Sequence, residues 1–309
     1  MDTDDKVKAI LNLPGSKAHY RERARRSNGK LQKNAAPKPK RGSWNDAKKL
    51  HRRLRFRLKK NGDGKQDKSL LKIISACKVG RRCADAACPK CNYAVQGVLN
   101  DLHLDMREGC IVFDKCVTII PALIIKPNDC RGRGASEAAA KVDKFREWLD
   151  DAFDVSGVTH VIGAIDFNTN EFPPESKFKE HCRPHFHGLA FANQLNAGDK
   201  RLRGEFRKRG SVNKPVQVDP FDGADNWCHY MIKIPNSRLL RKRDPDTGNW
   251  ARPTYKELKV DQQLQQALVL HEIGWAGRLY LRGVDLIEGR KGWRLVLTDF
   301  APEVQKNGR

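Results

Sequence analysis

The chain has 309 residues and carries 60 Lys+Arg against 37 Asp+Glu, a formal net charge of +23. That length holds one large or two ordinary domains with a sizeable core, and the excess charge points to a polyanionic partner. Neither a membrane span nor export is expected: the longest apolar run, CVTIIPALII at 116–125, is short and broken by Pro121, and the acidic start lacks an apolar leader, so a cytoplasmic location is expected.

The charge is concentrated, with 23 basic and 7 acidic side chains in residues 1–75. Residues 1–70, rich in Lys, Arg, Asn, Pro and Gly, read as a basic, largely disordered arm with one helix near 44–60. Leu50, Leu54 and Phe56 give that helix a thin apolar stripe. Such an arm suits counterion release from nucleic acid, or else serves as a solubilising tail. Residues 71–111 read as a cysteine-rich module, Cys77-x5-Cys83-x4-Cys88-Pro-x-Cys91. In a reducing compartment clustered thiols hold metal rather than form disulfides, and four soft ligands suit a structural, tetrahedral Zn²⁺. The irregular first spacing leaves His103 or Cys110 as a substitute for one ligand. Cys116, Cys130, Cys182 and Cys228 read as ordinary small, buried or half-buried residues.

From 112 to 236 the pattern is that of a globular α+β domain. A strand at 115–123 leads through a Gly-rich link to a helix opened by Ser136, with Val142, Phe145 and Leu149 on its apolar face. A strand at 159–168, a polar loop containing Pro173–Pro174 and a strand at 181–191 read as an antiparallel hairpin. Then come a basic helix at 198–210, a short strand at 215–221 and a helix at 224–234 stopped by Pro235. Residues 237–309 read as a C-terminal α/β extension: an exposed basic loop at 238–246, a helix at 254–274, and a late strand pair formed by GRLYLRGV and GWRLVLTDF.

Side chains alternate along a strand, so His185 and His187 point the same way and Phe186 the other. Pairing of the hairpin sets Asp166 almost opposite His185, and a carboxylate facing two imidazoles is a three-ligand metal site with room for water or substrate. His181 shares their parity and is a reserve ligand. Tyr230 and Lys233, three apart, share a helix face. Ionising a free tyrosine at neutral pH costs about 4 kcal/mol, so a nearby ammonium or a polarised target must offset that before Tyr230 can attack.

The ordered set of VTIIPA (117–122), RPHFHGLAF (183–191) and YMIK (230–233) resembles the HUH endonucleases, and within them the rolling-circle replication initiators of small plasmids. The likeness covers roughly residues 77–235. It implies a central antiparallel sheet of about five strands flanked by helices, with Mg²⁺ or Mn²⁺ held by His185, His187 and Asp166. It makes Tyr230 the nucleophile, with Lys233 as its helper, in the nicking and rejoining of single-stranded or cruciform origin DNA through a 5′-phosphotyrosyl link. With no nucleotide-binding loop of the G-x-x-x-x-G-K-[ST] type in the chain, a host helicase is an expected partner. The family's glutamate four residues before the tyrosine is Asn226 here, with Asp225 about 100° round the helix, which puts termination by water in doubt. Arg201, Arg203, Arg207, Lys208 and Arg209 are the candidate DNA-binding side chains. Other readings of the residues are a transposase or relaxase of the same chemistry, a metallohydrolase using activated water, and a non-catalytic, zinc-stabilised nucleic-acid-binding protein.

Overall fold

Three helices come first in the computed structural model, which describes residues 2–12, 44–62, 64–78, 80–108, 111–126, 133–209, 214–221, 227–234, 237–244, 246–289 and 292–298. Helices α1 (Thr3–Asn12), α2 (Trp44–Asn61) and α3 (Lys65–Ser75) each bury one narrow stripe: Val7, Ile10 and Leu11; Leu50, Leu54 and Leu58; Leu70 and Ile74. In α2 the stripe repeats every four residues, so Leu58 belongs to it and Phe56, two positions from Leu54, lies 64% exposed on another face. Apart from Leu50 these stripes join the same apolar core as the rest of the chain, so the helix expected near 44–60 is present, and residues 3–12 and 64–70 of the expected disordered arm are folded as well. Residues 13–43 of that arm lie outside the described residues. The start of the chain is also tied by polar bonds: Asp4 Oδ1 accepts from the backbone N–H of Trp275 at 2.7 Å, where a late helix breaks at Gly274.

The cysteine segment then feeds α4 (Pro89–Glu108). Next come β1 (Lys115–Ile119), α5 (Arg133–Ser156), β2 (Val161–Glu171), β3 (His181–Ala190), α6 (Ala192–Lys208), β4 (Val216–Pro220) and the short α7 (Trp227–Met231). β5 (Ser237–Leu240), β6 (Thr254–Glu257), α8 (Val260–Arg278), β7 (Leu279–Arg282), β8 (Val284–Gly289) and β9 (Gly292–Leu297) complete the described chain. Seven strands form one sheet in the order β4-β1-β3-β2-β5-β6, with β7 also on β2. The β2–β5 pair is parallel, so the sheet is mixed and larger than the five antiparallel strands expected.

The extra strands come from segments read otherwise. Residues 238–246, read as a basic loop, supply β5, and the start of the expected 254–274 helix is β6, wholly exposed at the sheet edge. Charged side chains are what an edge strand uses to resist further pairing. The late strand pair is also corrected: β7 pairs with β2, and β9 takes β8 as its partner in a separate ribbon. Gly283 makes that switch possible, with φ +58 and a position where a Cβ would meet the Thr159 carbonyl oxygen at 2.3 Å.

The sheet has two unlike faces. On one, Phe186 packs over Gly163 and Gly188, whose missing side chains leave room for its ring. α5 covers this face, with Phe153 and Phe186 ring centroids 6.0 Å apart, and α6 packs beside α5 through Phe145 and Phe206. On the other face Thr118, Ala164, Asp166, Arg183, His185 and His187 lie side by side in register. α7 shortens the expected 224–234 helix, and Asp225, Asn226 and Pro235 lie outside the described residues. Among the described residues no helix is long and apolar enough to cross a membrane.

Candidate active site on the histidine face

The hairpin places Asp166 directly across from His185, as its alternation predicts. His185 Nε2 lies 3.9 Å from Asp166 Oδ2, and the His185 and His187 rings are 4.6 Å apart. All three side chains are buried. Burial first, then the Lys233 ammonium, pushes His185 down to about 4 against the opposing pull of Asp166. Burial also holds His187 well below its ordinary value, with His185 and Lys233 acting the same way. Both rings are therefore neutral at pH 7, the form whose lone pairs bind metal. Neither ring nitrogen of His185 has a hydrogen-bond partner, nor does Asp166 Oδ1, and buried polar atoms left this way ask for a ligand. Thr118 Oγ1, 3.0 Å from His187 Nδ1, orients the second ring. His181 lies further along the strand, stacked on Phe172 at 5.4 Å, and takes no part.

Tyr230 and Lys233 converge on the same histidine. The Tyr230 ring centroid is 4.6 Å from that of His187, and Lys233 Nζ stands 4.5 Å from the Tyr230 centroid and 3.5 Å from His187 Nε2. The expected shared helix face is achieved differently: α7 ends at Met231, and Lys233 reaches back over the tyrosine from the following segment. Tyr230 remains 45% exposed, open to a substrate. Burial pushes its phenol above the ordinary value, Tyr255 adds to this, and a hydrogen bond with Thr118 opposes it. The hydroxyl therefore keeps its proton at neutral pH.

Compared with known proteins, the chain matches no family model, no curated protein and no solved structure.

The four predicted cysteines come together, and their sulfur atoms all lie within 4.8 Å of one another, so this group is able to hold a metal ion. Cys77 Sγ–Cys91 Sγ is 3.6 Å and Cys83 Sγ–Cys91 Sγ 3.5 Å. A tetrahedron of thiolates around zinc has edges of about 3.8 Å, whereas a disulfide needs about 2.0 Å. A tight turn between Lys78 and Arg81 brings Cys77 toward Cys83, and Cys91 sits in the first turn of α4. Hydrogen bonds from the other thiols push Cys77 below the ordinary thiol value, while Cys83 is pushed up chiefly by Cys77 and Cys88 chiefly by burial.

His103 is not a fifth candidate, and Cys110 lies outside the described residues. The His103 ring sits in an aromatic cluster, 5.1 Å from Trp227 and 5.8 Å from Phe221. Burial, helped by Arg107, lowers it to about 4. The unfolded chain therefore takes this proton first, and stability is full above about pH 6.5 and falls as pH drops toward 4. Between pH 7 and 4.5 the group is expected to cost about 2–3 kcal/mol. A His103→Phe variant should show a smaller drop in urea midpoint across that interval than the parent.

The predicted DNA-binding residues of α6 are placed elsewhere. α6 packs beside α5 on the Phe186 side of the sheet, away from the histidines. Arg203 is bound to Asp199 and to the Val216 carbonyl, Lys208 to Glu205, and Arg209 to Asp151 and Glu205. Arg201 and Arg207 are exposed on that helix. None of the five faces Tyr230.

One residue escaped the sequence. Arg278, the last residue of α8, is fully buried, its guanidinium pushed down to about 10 by that burial while Asp166 opposes the shift. It lies 3.6 Å from Asp166 Oδ1 and donates to the Lys233 carbonyl at 2.5 Å, to the Ala86 carbonyl at 3.2 Å and to Asn92 Oδ1. One side chain thus joins the acid of the site, the segment carrying Lys233 and the cysteine module. Gln96 of α4 makes a second tie by donating to the Ile232 carbonyl.

Proposed function

We propose that this chain is a metal-dependent, single-tyrosine enzyme that nicks and rejoins single-stranded DNA, of the kind that starts rolling-circle replication of a plasmid or related element. The observation that carries this reading is the convergence of Tyr230 and Lys233 on His187, on the face that also holds His185 and Asp166. An exposed phenol beside neutral imidazoles and an ammonium suits covalent attack better than simple binding.

Tyr230 Oη attacks the scissile phosphorus and forms the Tyr–O–P bond, and the bond from phosphorus to the 3′-oxygen breaks. The phenolic proton leaves, and a proton is taken up by the departing 3′-oxygen, giving a free 3′-hydroxyl and a 5′-phosphotyrosyl strand. That diester keeps the energy of the broken link, so attack by a 3′-hydroxyl reverses the step without a nucleotide. Lys233 balances negative charge on the phenolate or the phosphate. His185, His187 and Asp166 are the residues that would hold a Mg²⁺ or Mn²⁺ ion, which would draw charge from the phosphate. The partners on this reading are single-stranded or cruciform origin DNA and a helicase that opens the duplex.

The test is to incubate the protein and Mn²⁺ with labelled single strands that include the element's own origin, then denature. A DNA-linked band whose peptide map places the nucleotide on Tyr230 supports the proposal. No adduct on origin DNA, despite binding, overturns it in favour of a binding protein.

The ion at the cysteines is proposed to be structural Zn²⁺. Metal analysis of the purified protein should find one zinc per chain that dialysis against EDTA leaves behind, and Cys88→Ser should lose it. Because thiolate-bound zinc is coupled to folding, that variant is expected to melt well below the parent, by several kcal/mol.

A further inference from the structure

The histidine face does not end at the active site. Along β3, Arg183 and His181 continue the row of His185 and His187 toward the 172–180 turn, and in register beside them on the same face come Asn170, Leu239 and Tyr255. At that end the sheet carries exposed aromatic rings: Tyr255 is 71%, Phe178 43% and Trp250 40% exposed. Phe178 and Trp250 centroids are 5.9 Å apart, both held against Phe172, which itself stacks on His181. A soluble protein gains nothing in stability from rings left in water, and their backing by Phe172 fixes them in place without covering them.

Cations are interleaved with these rings. Arg243 lies over Trp250, its guanidinium carbon 5.0 Å from the ring centroid. Between the rings and the histidines β3 carries Arg183, and Arg241 follows directly on β5. Arg241 is anchored to Asn170 Oδ1 at 3.1 Å, whereas Arg183 Nε is buried and has no hydrogen-bond partner. A buried guanidinium with a donor left over is satisfied by an anion laid against it. The β3 row runs from this surface to His187, whose ring centroid is 4.6 Å from that of Tyr230, so the surface is continuous with that ring.

We propose that this end of the histidine face is a single-stranded nucleic-acid platform. Bases stack on Trp250, Phe178 and Tyr255, and phosphates lie on Arg183, Arg241 and Arg243. The strand's onward path to Tyr230 rests on the nicking reading; the platform itself does not. It also places the substrate on the opposite side of the sheet from the basic residues of α6.

The test uses the full chain carrying Tyr230→Phe, so that binding is read without covalent trapping. Fluorescence anisotropy follows a labelled dT oligonucleotide of about twelve nucleotides, and an abasic oligonucleotide of equal length and charge. Adding Trp250→Ala and Tyr255→Ala is expected to weaken dT binding roughly tenfold or more, with little change on the abasic strand and an unchanged salt slope. Arg241→Gln with Arg243→Gln should weaken both strands and lower the salt slope by about 0.7 per lost contact. Unchanged dT affinity in the aromatic variant overturns the proposal, as does an equal loss on both strands, which would make the rings a surface for another class of partner. If these losses appear but wild-type protein forms no adduct on origin DNA, the nicking proposal fails and the platform stands.

Discussion

Tyr230→Phe is expected to abolish the covalent adduct, cutting strand cleavage by at least about 10⁴-fold, while affinity for the same single strand stays within about twofold. The change removes one oxygen and keeps the ring that packs 4.6 Å from His187 and beneath Lys233. Because the side chain is 45% exposed, the stability cost should stay within about 1 kcal/mol, so a lost adduct reports chemistry and not unfolding. The comparison separates three mechanisms. A tyrosine nucleophile leaves nothing once the oxygen is gone. A metallohydrolase using activated water would need His185 and His187 yet cut normally in the variant. A binding protein would show no adduct in either form. Denaturing gels with origin DNA, read beside anisotropy on the same preparations, decide among them.

The part of this site that follows from alternation was legible in the residues. Once the strands around Pro173–Pro174 are paired, parity alone puts Asp166 across from His185 and turns Phe186 to the far side, and the register agrees. Charge was the less informative guide. The run around Arg201–Arg209 reads as a DNA-binding surface, but Asp199 and Glu205 lie one helical turn from Arg203 and Arg209, and Leu195, Leu202 and Phe206 bury the opposite stripe. Counting cations without their i,i+4 carboxylates overstated what is available. β5 lay hidden in a run read as a basic loop, and β6 in the start of an expected helix, because four-residue strands are too short to show an alternation. The helix near 44–60 was legible from its leucines, but not its docking: a leucine every fourth position among lysines and arginines is a thin stripe, yet it suffices when a large core is waiting to receive it. Arg278 could not be found this way at all, since nothing in the sequence distinguishes one buried guanidinium among 60 basic residues.

Arg278→Met is expected to lower stability by about 3–5 kcal/mol, because it strands a buried carboxylate. Asp166 is 1% exposed, and the Arg278 guanidinium is the cation 3.6 Å from its Oδ1. Methionine fills much of the volume, so the loss should come from charge and not from a cavity. Two measurements test that cause. Adding Asp166→Asn removes the stranded charge and should restore part of the urea midpoint, a non-additive result that a packing defect would not give. Adding Mn²⁺ should also help the single variant, because a cation at Asp166 replaces the missing one, and should help the double variant much less. If the single variant unfolds with the parent, the buried pair is not the keystone of this face. The Arg278 bonds to the carbonyls of Lys233 and Ala86 make one further demand. In protein still folded after the change, the segment carrying Lys233 has lost its tie to the cysteine module. Adduct formation should then fall more steeply than the folded fraction, whereas affinity for the strand, set by a surface at the other end of the face, should hold.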